Sequence, residues 1–185
     1  MNLKSKKSIF IAGVCVLIVV AVLVIVLCAG GGLDKKVNKS LKTVQTATLN
    51  VAVKDGETEV YSLNKTMSFI DGGANVTTVT KKLNANTFDY KEETISEFIE
   101  NITAKDSVSL NLNKKNLGDK TKDGNVVTVT VLKSNANEFF GVTDAKADSD
   151  ILVVFVFANN KLQSITITYQ LISGKSVELT ATYTY

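Results

Sequence analysis

The fold of this chain is decided by residues 151–185, ILVVFVFANNKLQSITITYQLISGKSVELTATYTY. Apolar and polar residues alternate from Ile165 to Leu171 and again from Val177 to Tyr185, which is the period of a half-buried β-strand. Asn159-Asn160 and Ser173-Gly174 separate these runs with residues that favour turns. The stretch therefore predicts a three-stranded antiparallel meander.

The first run of this meander, Ile151–Phe157, is apolar at every position. Strands without polar residues are typical of sheets that are covered on both faces. The run therefore predicts a central strand of the sheet, with Phe155 in the core.

Further alternating runs precede the meander. One begins near Thr46, turns at Asp55-Gly56 and continues to Phe69, and Asp71-Gly72-Gly73 leads into another run that ends at Leu83. Asp-Gly pairs supply the positive φ angles that tight hairpins need. Alternation returns from Val108 to Leu112 and from Val127 to Val131. We therefore expect a mainly antiparallel sheet.

Two segments have helical spacing instead. Leu33, Val37, Leu41 and Val44 predict a helix over Leu33–Val44. Ile95, Phe98, Ile99 and Ile102 fall at i, i+3, i+4 and i+7. Thr94 and Glu97 have the spacing of a capping box, so these residues predict a second helix over Thr94–Ile102.

The amino-terminal segment predicts a membrane span. Ile9–Ala29 contains no charged residue, and at about 1.5 Å per helical residue it reaches about 30 Å, the thickness of a bilayer core. Lys4, Lys6 and Lys7 precede it, and short basic flanks stay cytoplasmic.

The expected fold class is therefore α+β: an N-terminal transmembrane helix followed by a mainly antiparallel sheet domain with two short helices. The predicted domains are a basic cytoplasmic tail (1–8), a transmembrane or signal-anchor helix (9–29), a glycine hinge (30–32) and an exported β-rich domain (33–185).

Two alternatives explain the same apolar run. A cleaved signal peptide fits the basic start, but the run is longer than the usual hydrophobic region of about 7 to 15 residues. A lipoprotein start would attach lipid at Cys28, although Leu27 stands where that motif has a small residue. All three interpretations place residues 33–185 outside the cytoplasmic membrane.

Composition excludes several classes of function. Of the 21 basic residues three precede the apolar run, which leaves 18 against 18 carboxylates, so the exported part is formally neutral and nucleic acid is not an expected partner. The chain has no His, and Cys15 and Cys28 both lie in the apolar run. Catalytic Ser-His and Cys-His pairs and the usual zinc sites are therefore excluded outside that run.

Carboxylate groups give no stronger indication of chemistry. Asp144, Asp148 and Asp150 cluster, but Lys146 lies among them and the spacing lacks the glycine and distal glutamate of an EF-hand loop. We interpret this cluster as a solvated loop and predict a non-catalytic protein with no cofactor and no metal.

A family resemblance rests on the order of these segments. A short Leu/Val/Lys helix runs into TATLNVAV (46–53), hairpins follow, and the chain ends in NNKLQSITITY (159–169) and a last strand. This pattern resembles bacterial half-barrel lipoproteins of the lipoprotein-carrier kind. The resemblance implies a curved antiparallel sheet that wraps helices around an apolar cavity for acyl chains.

Two functional hypotheses follow. The first is a membrane-anchored, extracytoplasmic binding module for lipid or another apolar ligand, with a pocket between the sheet and the two helices. Its candidate ligand-facing residues are Phe69, Phe98, Ile99, Phe155 and Tyr169. The second is a structural or adhesive cell-surface domain that contacts protein or cell wall through sheet edges or Thr/Asn-rich faces.

Overall fold

The computed structural model describes residues 31–84, 86–108 and 110–185. They form an α-helix, α1 (Gly31–Leu41), nine strands and a second short α-helix, α2 (Ala136–Phe140). The strands are β1 (Thr46–Asp55), β2 (Thr58–Ile70), β3 (Gly73–Leu83), β4 (Tyr90–Glu100), β5 (Lys120–Asp123), β6 (Val126–Val131), β7 (Ile151–Ala158), β8 (Lys161–Gln170) and β9 (Ser176–Thr184).

All nine strands belong to one antiparallel sheet in the order β4-β3-β2-β1-β9-β8-β7-β6-β5. Every pair of neighbouring strands except one is consecutive along the chain and joined by a connection between them. The remaining pair is β1 and β9, whose pairing sets Thr46 opposite Thr184. The beginning and the end of the sheet-forming sequence therefore meet in the middle of the sheet.

Burial distinguishes the two faces of the sheet. The inner face carries the buried side chains of β1 and β9 and of their neighbours, such as Leu49, Ala181 and Ile165 on one cross-strand row. On the other face, which we call the outer face, the same strands carry half-buried or exposed residues such as Thr48, Thr166 and Thr182. The sheet is thus a single layer with one covered face.

Three segments cover the inner face. Helix α1 packs against β8 through Leu33, Val37 and Leu41, which are all buried. Residues 101–119, the crossing segment, connect β4 at one edge of the sheet to β5 at the other. The Ser107 hydroxyl of this segment lies 3.4 Å from the Tyr183 hydroxyl on β9. Helix α2 completes the cover with the fully buried Phe139.

The second predicted helix is wrong. Thr94–Ile102 does not form a helix, because Tyr90–Glu100 is strand β4 and pairs with β3 in an unbroken register. Long-range pairing with β3 decides the conformation, and an edge strand that is exposed on both faces has no need of strict alternation. A capping box does occur later, where the Asp106 carboxylate accepts bonds of 2.7 and 2.8 Å from the Thr103 backbone N–H and hydroxyl.

The expected fold class also requires correction. The described part of the chain is mostly one nine-stranded antiparallel sheet with two short α-helices of 11 and 5 residues. None of its helices is long and apolar enough to cross a membrane. The transmembrane prediction for Ile9–Ala29 and the lipid attachment at Cys28 lie outside the described residues. The first predicted helix is confirmed, with bounds Gly31–Leu41 in place of Leu33–Val44.

The position predicted for Ile151–Phe157 is wrong as well. Strand β7 is third from the β5 edge, whereas β9 occupies the centre of the sheet. Its residues alternate between fully buried, as at Val153 and Phe155, and more exposed, as at Leu152. The side chains that β7 places on the outer face are apolar, although no described element covers them. The prediction that Phe155 lies in the core is confirmed, since it has no exposed surface.

Candidate binding face

The five residues predicted to face an apolar ligand lie in four separate places. Phe155 is buried in the core between Val127 and Ile165 on the neighbouring strands. Tyr169 lies at one end of the inner face, where its ring centroid is 5.5 Å from that of Phe140.

The other three lie at the far side of the sheet. Phe69 and Ile99 flank Ala74 on one inner-face row of β2, β3 and β4. Phe98 belongs to the opposite face, opposite Asn75, and 49% of it is exposed. The structure therefore brings Phe69 and Ile99 to one row and separates the remaining three candidates.

The tyrosines of the inner face are shielded from water. Burial raises the pKa of Tyr169 to about 12. Burial also raises the pKa of Tyr183, although its hydrogen bond with Ser107 opposes the shift. Desolvation disfavours a charged phenolate, so the shifts fit a packed inner layer at Tyr183 and partial cover at Tyr169, which is half-buried and also lines the larger groove described below.

The outer face has a different chemistry. Hydroxyl and amide side chains follow one another across the strands, as in the row Ser96, Thr77, Thr66, Thr48, Thr182 and Ser164. Some of these groups bond to each other: Asn64 Nδ2 donates to Asn50 Oδ1 at 2.6 Å, and the Thr166 and Thr180 hydroxyls are 3.4 Å apart. The outer face is consequently a broad polar surface.

Two grooves cross this surface and meet in its middle. Their volumes are about 470 Å³ and about 240 Å³, and both are lined by Ala52 and Glu178, which lie opposite each other on β1 and β9. We call the combined groove the trough. Its outer-face lining also includes Asn50, Lys54, Ser62, Asn64, Val79, Lys81, Leu152, Thr168, Gln170 and Thr180.

The geometry of the trough follows from the sheet. It runs across the strands from Val79 on β3 to Leu152 on β7, which are separated by five strand spacings, or about 24 Å. Ala52 has the smallest side chain of the lining and leaves room at the midpoint. Larger side chains on both sides of it, such as Lys54 and Asn50, form the walls.

The charges along the trough nearly cancel. Two lysines, Lys54 and Lys81, and three carboxylates, Glu59, Asp150 and Glu178, line it. Lys81 also forms an ion pair of 3.1 Å with Glu92, which lies outside the trough. A strongly charged polymer of either sign would therefore find like charges in the trough, whereas a neutral one would not.

Metal binding has no candidate in the part of the chain that the structure describes, since no group of three His, Cys, Asp or Glu side chains comes together there. The carboxylates of the Asp144 cluster have lysine partners instead. Asp144 pairs with Lys146, and Asp148 accepts from Lys133 Nζ at 3.2 Å. Asp150 accepts a bond of 2.9 Å from the Lys133 backbone N–H.

Comparison with protein-family models and with curated proteins found no match. Among solved structures, the chain is similar to a bifunctional dehydratase-cyclase domain in ambruticin biosynthesis. The two are 10% identical, the match covers 82% of this chain and 78% of the other, and the TM-score is 0.26. A similarity at this level carries no argument about fold or activity. None of these comparisons tests the resemblance to half-barrel lipoproteins.

Sequence reasoning missed the trough because its residues come from six strands. The signal that existed was local: Thr or Asn at every second position in 46–50 and 180–184. That alternation predicts a polar face. Only the register of β1 with β9, which sets Ala52 opposite Glu178, locates the trough on that face.

Proposed function

We propose that this protein is a non-catalytic, extracytoplasmic binding module that holds a neutral, hydroxyl-rich polymer, a cell-wall polysaccharide, in the trough of its outer face. The observation that carries the proposal is the trough itself, which crosses six strands of an uncovered polar sheet face. This is a form of the adhesive hypothesis in which the exposed Thr/Asn-rich face makes the contact.

The lining suits sugars for three reasons. Hydroxyl and amide groups such as those of Asn50, Thr168 and Thr180 can both donate and accept hydrogen bonds, as sugar hydroxyls do. Leu152, 42% exposed, offers an apolar surface for the C–H face of a pyranose ring. Because the positive and negative charges along the trough nearly balance, a neutral polymer would bind there without electrostatic repulsion.

The extracytoplasmic location rests on the sequence. Lys4, Lys6 and Lys7 precede the uncharged run Ile9–Ala29, and basic flanks of this kind stay in the cytoplasm. A polysaccharide of the cell wall would be present on the opposite side. The extracytoplasmic location and the proposed partner are therefore compatible. This holds whether Ile9–Ala29 acts as an anchor, as a cleaved signal or as part of a lipoprotein start.

The apolar-ligand hypothesis stays a prediction. Its five residues do not line one space, and Phe155 is fully buried in one core cluster with residues of α1, the crossing segment and α2, such as Val37, Leu112 and Phe139. The outer face needs no opening of the core to take a ligand, and for that reason we favour it.

The test compares two arginine substitutions on the same face. Ala52→Arg fills the midpoint of the trough, whereas Thr121→Arg adds the same side chain on β5, outside the trough. The full-length proteins, kept in a non-ionic detergent, are sedimented with peptidoglycan sacculi and, separately, with insoluble chitin and cellulose. We expect wild type and Thr121→Arg to bind at least one of these polymers equally, and Ala52→Arg to bind it at least about tenfold more weakly, a loss of about 1.4 kcal/mol.

A conservative variant separates hydrogen bonding from charge. Glu178→Gln keeps the shape of the side chain and a carbonyl acceptor, so binding to a neutral polymer should change less than with Ala52→Arg. Absence of binding by wild type to all three polymers, or equal binding by the two arginine variants, would contradict the proposal.

A further inference from the structure

Strand β4 has a long free edge. It lies at one end of the sheet, is 11 residues long, and all its side chains are exposed except that of Ile99, which is half-buried. In the described part of the chain no strand pairs with that edge. Proteins usually shorten, bend or cover such an edge because it can accept another strand.

The hydrogen-bonding groups that face away from β3 can be identified. At the two ends of β4, Asp89 C=O accepts from Asn84 N–H and Asn101 N–H donates to Gly72 C=O, both at 2.8 Å. Backbone groups alternate in direction along a strand, so odd-numbered residues face β3 and even-numbered ones face outward. The outward residues of β4 are Tyr90, Glu92, Thr94, Ser96, Phe98 and Glu100.

The sequence of β4 is self-complementary about Thr94. In an antiparallel pair centred on this residue, Thr94 lies opposite Thr94 of a second copy, and Lys91 lies opposite Glu97. Tyr90 would lie opposite Phe98, but both side chains lean over β3 within the monomer: the Tyr90 hydroxyl donates to the Glu59 carbonyl at 2.8 Å, and the Phe98 ring lies against Gly73. The support for this register is therefore the Lys91–Glu97 pairs, since opposite charges are among the cross-strand pairs that stabilise sheets.

Neighbouring registers lack this match. A pair centred on Ile95 would set Glu93 opposite Glu97 twice, and a pair centred on Glu93 would set that residue opposite itself. Like charges directly opposite each other are destabilising. The register about Thr94 avoids both clashes and keeps inner-face residues beside inner-face residues.

A lysine pair within the monomer supports the same register. Lys91 lies opposite Lys82 of β3 on the inner face, and neither forms an ion pair among the described residues. Two like charges in this position repel each other. The Glu97 carboxylate of a second copy would lie beside Lys91 and offset that repulsion.

We infer that β4 is an interaction surface for a second copy of this chain, which pairs with it antiparallel about Thr94 and joins two sheets into one of eighteen strands. The partner is related by a two-fold axis, the commonest symmetry of homo-oligomers. In this register five of the outward residues of each strand, Tyr90 to Phe98, contribute one N–H and one C=O each, which gives about ten hydrogen bonds across the junction. The inference is independent of the proposed polysaccharide binding.

Disulfide trapping tests the register directly. In full-length chains whose Cys15 and Cys28 are replaced by serine, Thr94→Cys places two thiols opposite each other at the two-fold axis. The Cα atoms would be about 5.5 Å apart, within the range of a disulfide. The control Ser96→Cys would face Glu92, with its own copy about 13 Å away along the strand. Under mild oxidation we expect at least tenfold more disulfide dimer from Thr94→Cys than from Ser96→Cys.

Charge exchange provides a second measurement on the full-length chain in detergent. Lys91→Glu and Glu97→Lys each place like charges opposite each other twice, and we expect each to reduce dimer formation at least tenfold in analytical ultracentrifugation. The double variant Lys91→Glu/Glu97→Lys restores opposite charges and should restore the dimer.

A monomeric wild type, equal trapping at residues 94 and 96, or a double variant that dimerises no better than the single ones would overturn the inference. Pairing of β4 with β5 of another copy would give no Thr94→Cys dimer and would also overturn it.

Discussion

Phe155 shows how strongly a single inner-face position contributes to stability. It is fully buried in the middle of β7, so Phe155→Ala should cost about 3 to 5 kcal/mol of unfolding free energy. Val156→Ala, the next residue, removes a half-buried side chain from the outer face and should cost less than about 1 kcal/mol. Denaturant unfolding followed by tyrosine fluorescence measures both. Equal losses would contradict the assignment of the two faces.

Tyr169 makes stability depend on alkaline pH. Its pKa is about 12 in the folded protein and about 10 when unfolded, so the unfolded state loses the proton first. The stability contributed by the neutral phenol is present below pH 10 and is lost as pH rises toward 12. We expect the free energy of unfolding to fall over this range, and Tyr169→Phe to reduce the slope by up to about 1.4 kcal/mol per pH unit. An unchanged slope would show that this phenol is not shielded.

At the level of elements, the attachment of β4 to β3 depends on Gly73. A Cβ at this position would overlap the Ile99 carbonyl oxygen, whereas one at Gly32 in α1 meets no atom of residues 33–84, 86–108 or 110–185 within 4 Å beyond the adjacent backbone of its own helix. Gly73→Ala should therefore cost about 1 to 3 kcal/mol, since overpacking forces the backbone apart. Gly32→Ala should stabilise the protein by up to about 1 kcal/mol, because alanine favours the helix. Thermal unfolding of the two variants measures the contrast, and a stabilising Gly73→Ala would contradict the packing of β3 on β4.

The elements that the sequence predicted correctly are those with local signals. Alternation identified β1, β2, β3, β6, β8 and β9, and the turns at Asn159-Asn160 and Gly174 adopt the positive φ angles that their residue types favour. The strand predicted from the alternation at Val108–Leu112 is wrong, since the described residues of the crossing segment form no strand. Strand β4 was predicted as a helix because its apolar residues happen to have helical spacing. Its conformation depends on pairing with β3, which no local pattern records.

At the scale of the whole molecule, the order of the strands lay beyond prediction. The antiparallel sheet was expected, but the pairing of β1 with β9 joins residues more than a hundred positions apart. The apolar run of β7 indicated burial on both faces, whereas Leu152 is exposed on the outer face. The trough depends on this long-range order, so it could not be predicted although its polar residue types could.

The sheet has one covered face and one open face, and adjacent residues of its middle strand test this most directly. Ala181 is fully buried on the inner face, whereas Thr182 is exposed on the outer face. The measurement is the rate of thiol labelling of Ala181→Cys and Thr182→Cys in full-length protein that lacks Cys15 and Cys28. We predict rapid labelling at residue 182 and labelling at least about a hundredfold slower at residue 181, where reaction requires local opening of the core. Similar rates at the two positions, or faster labelling at residue 181, would contradict the account.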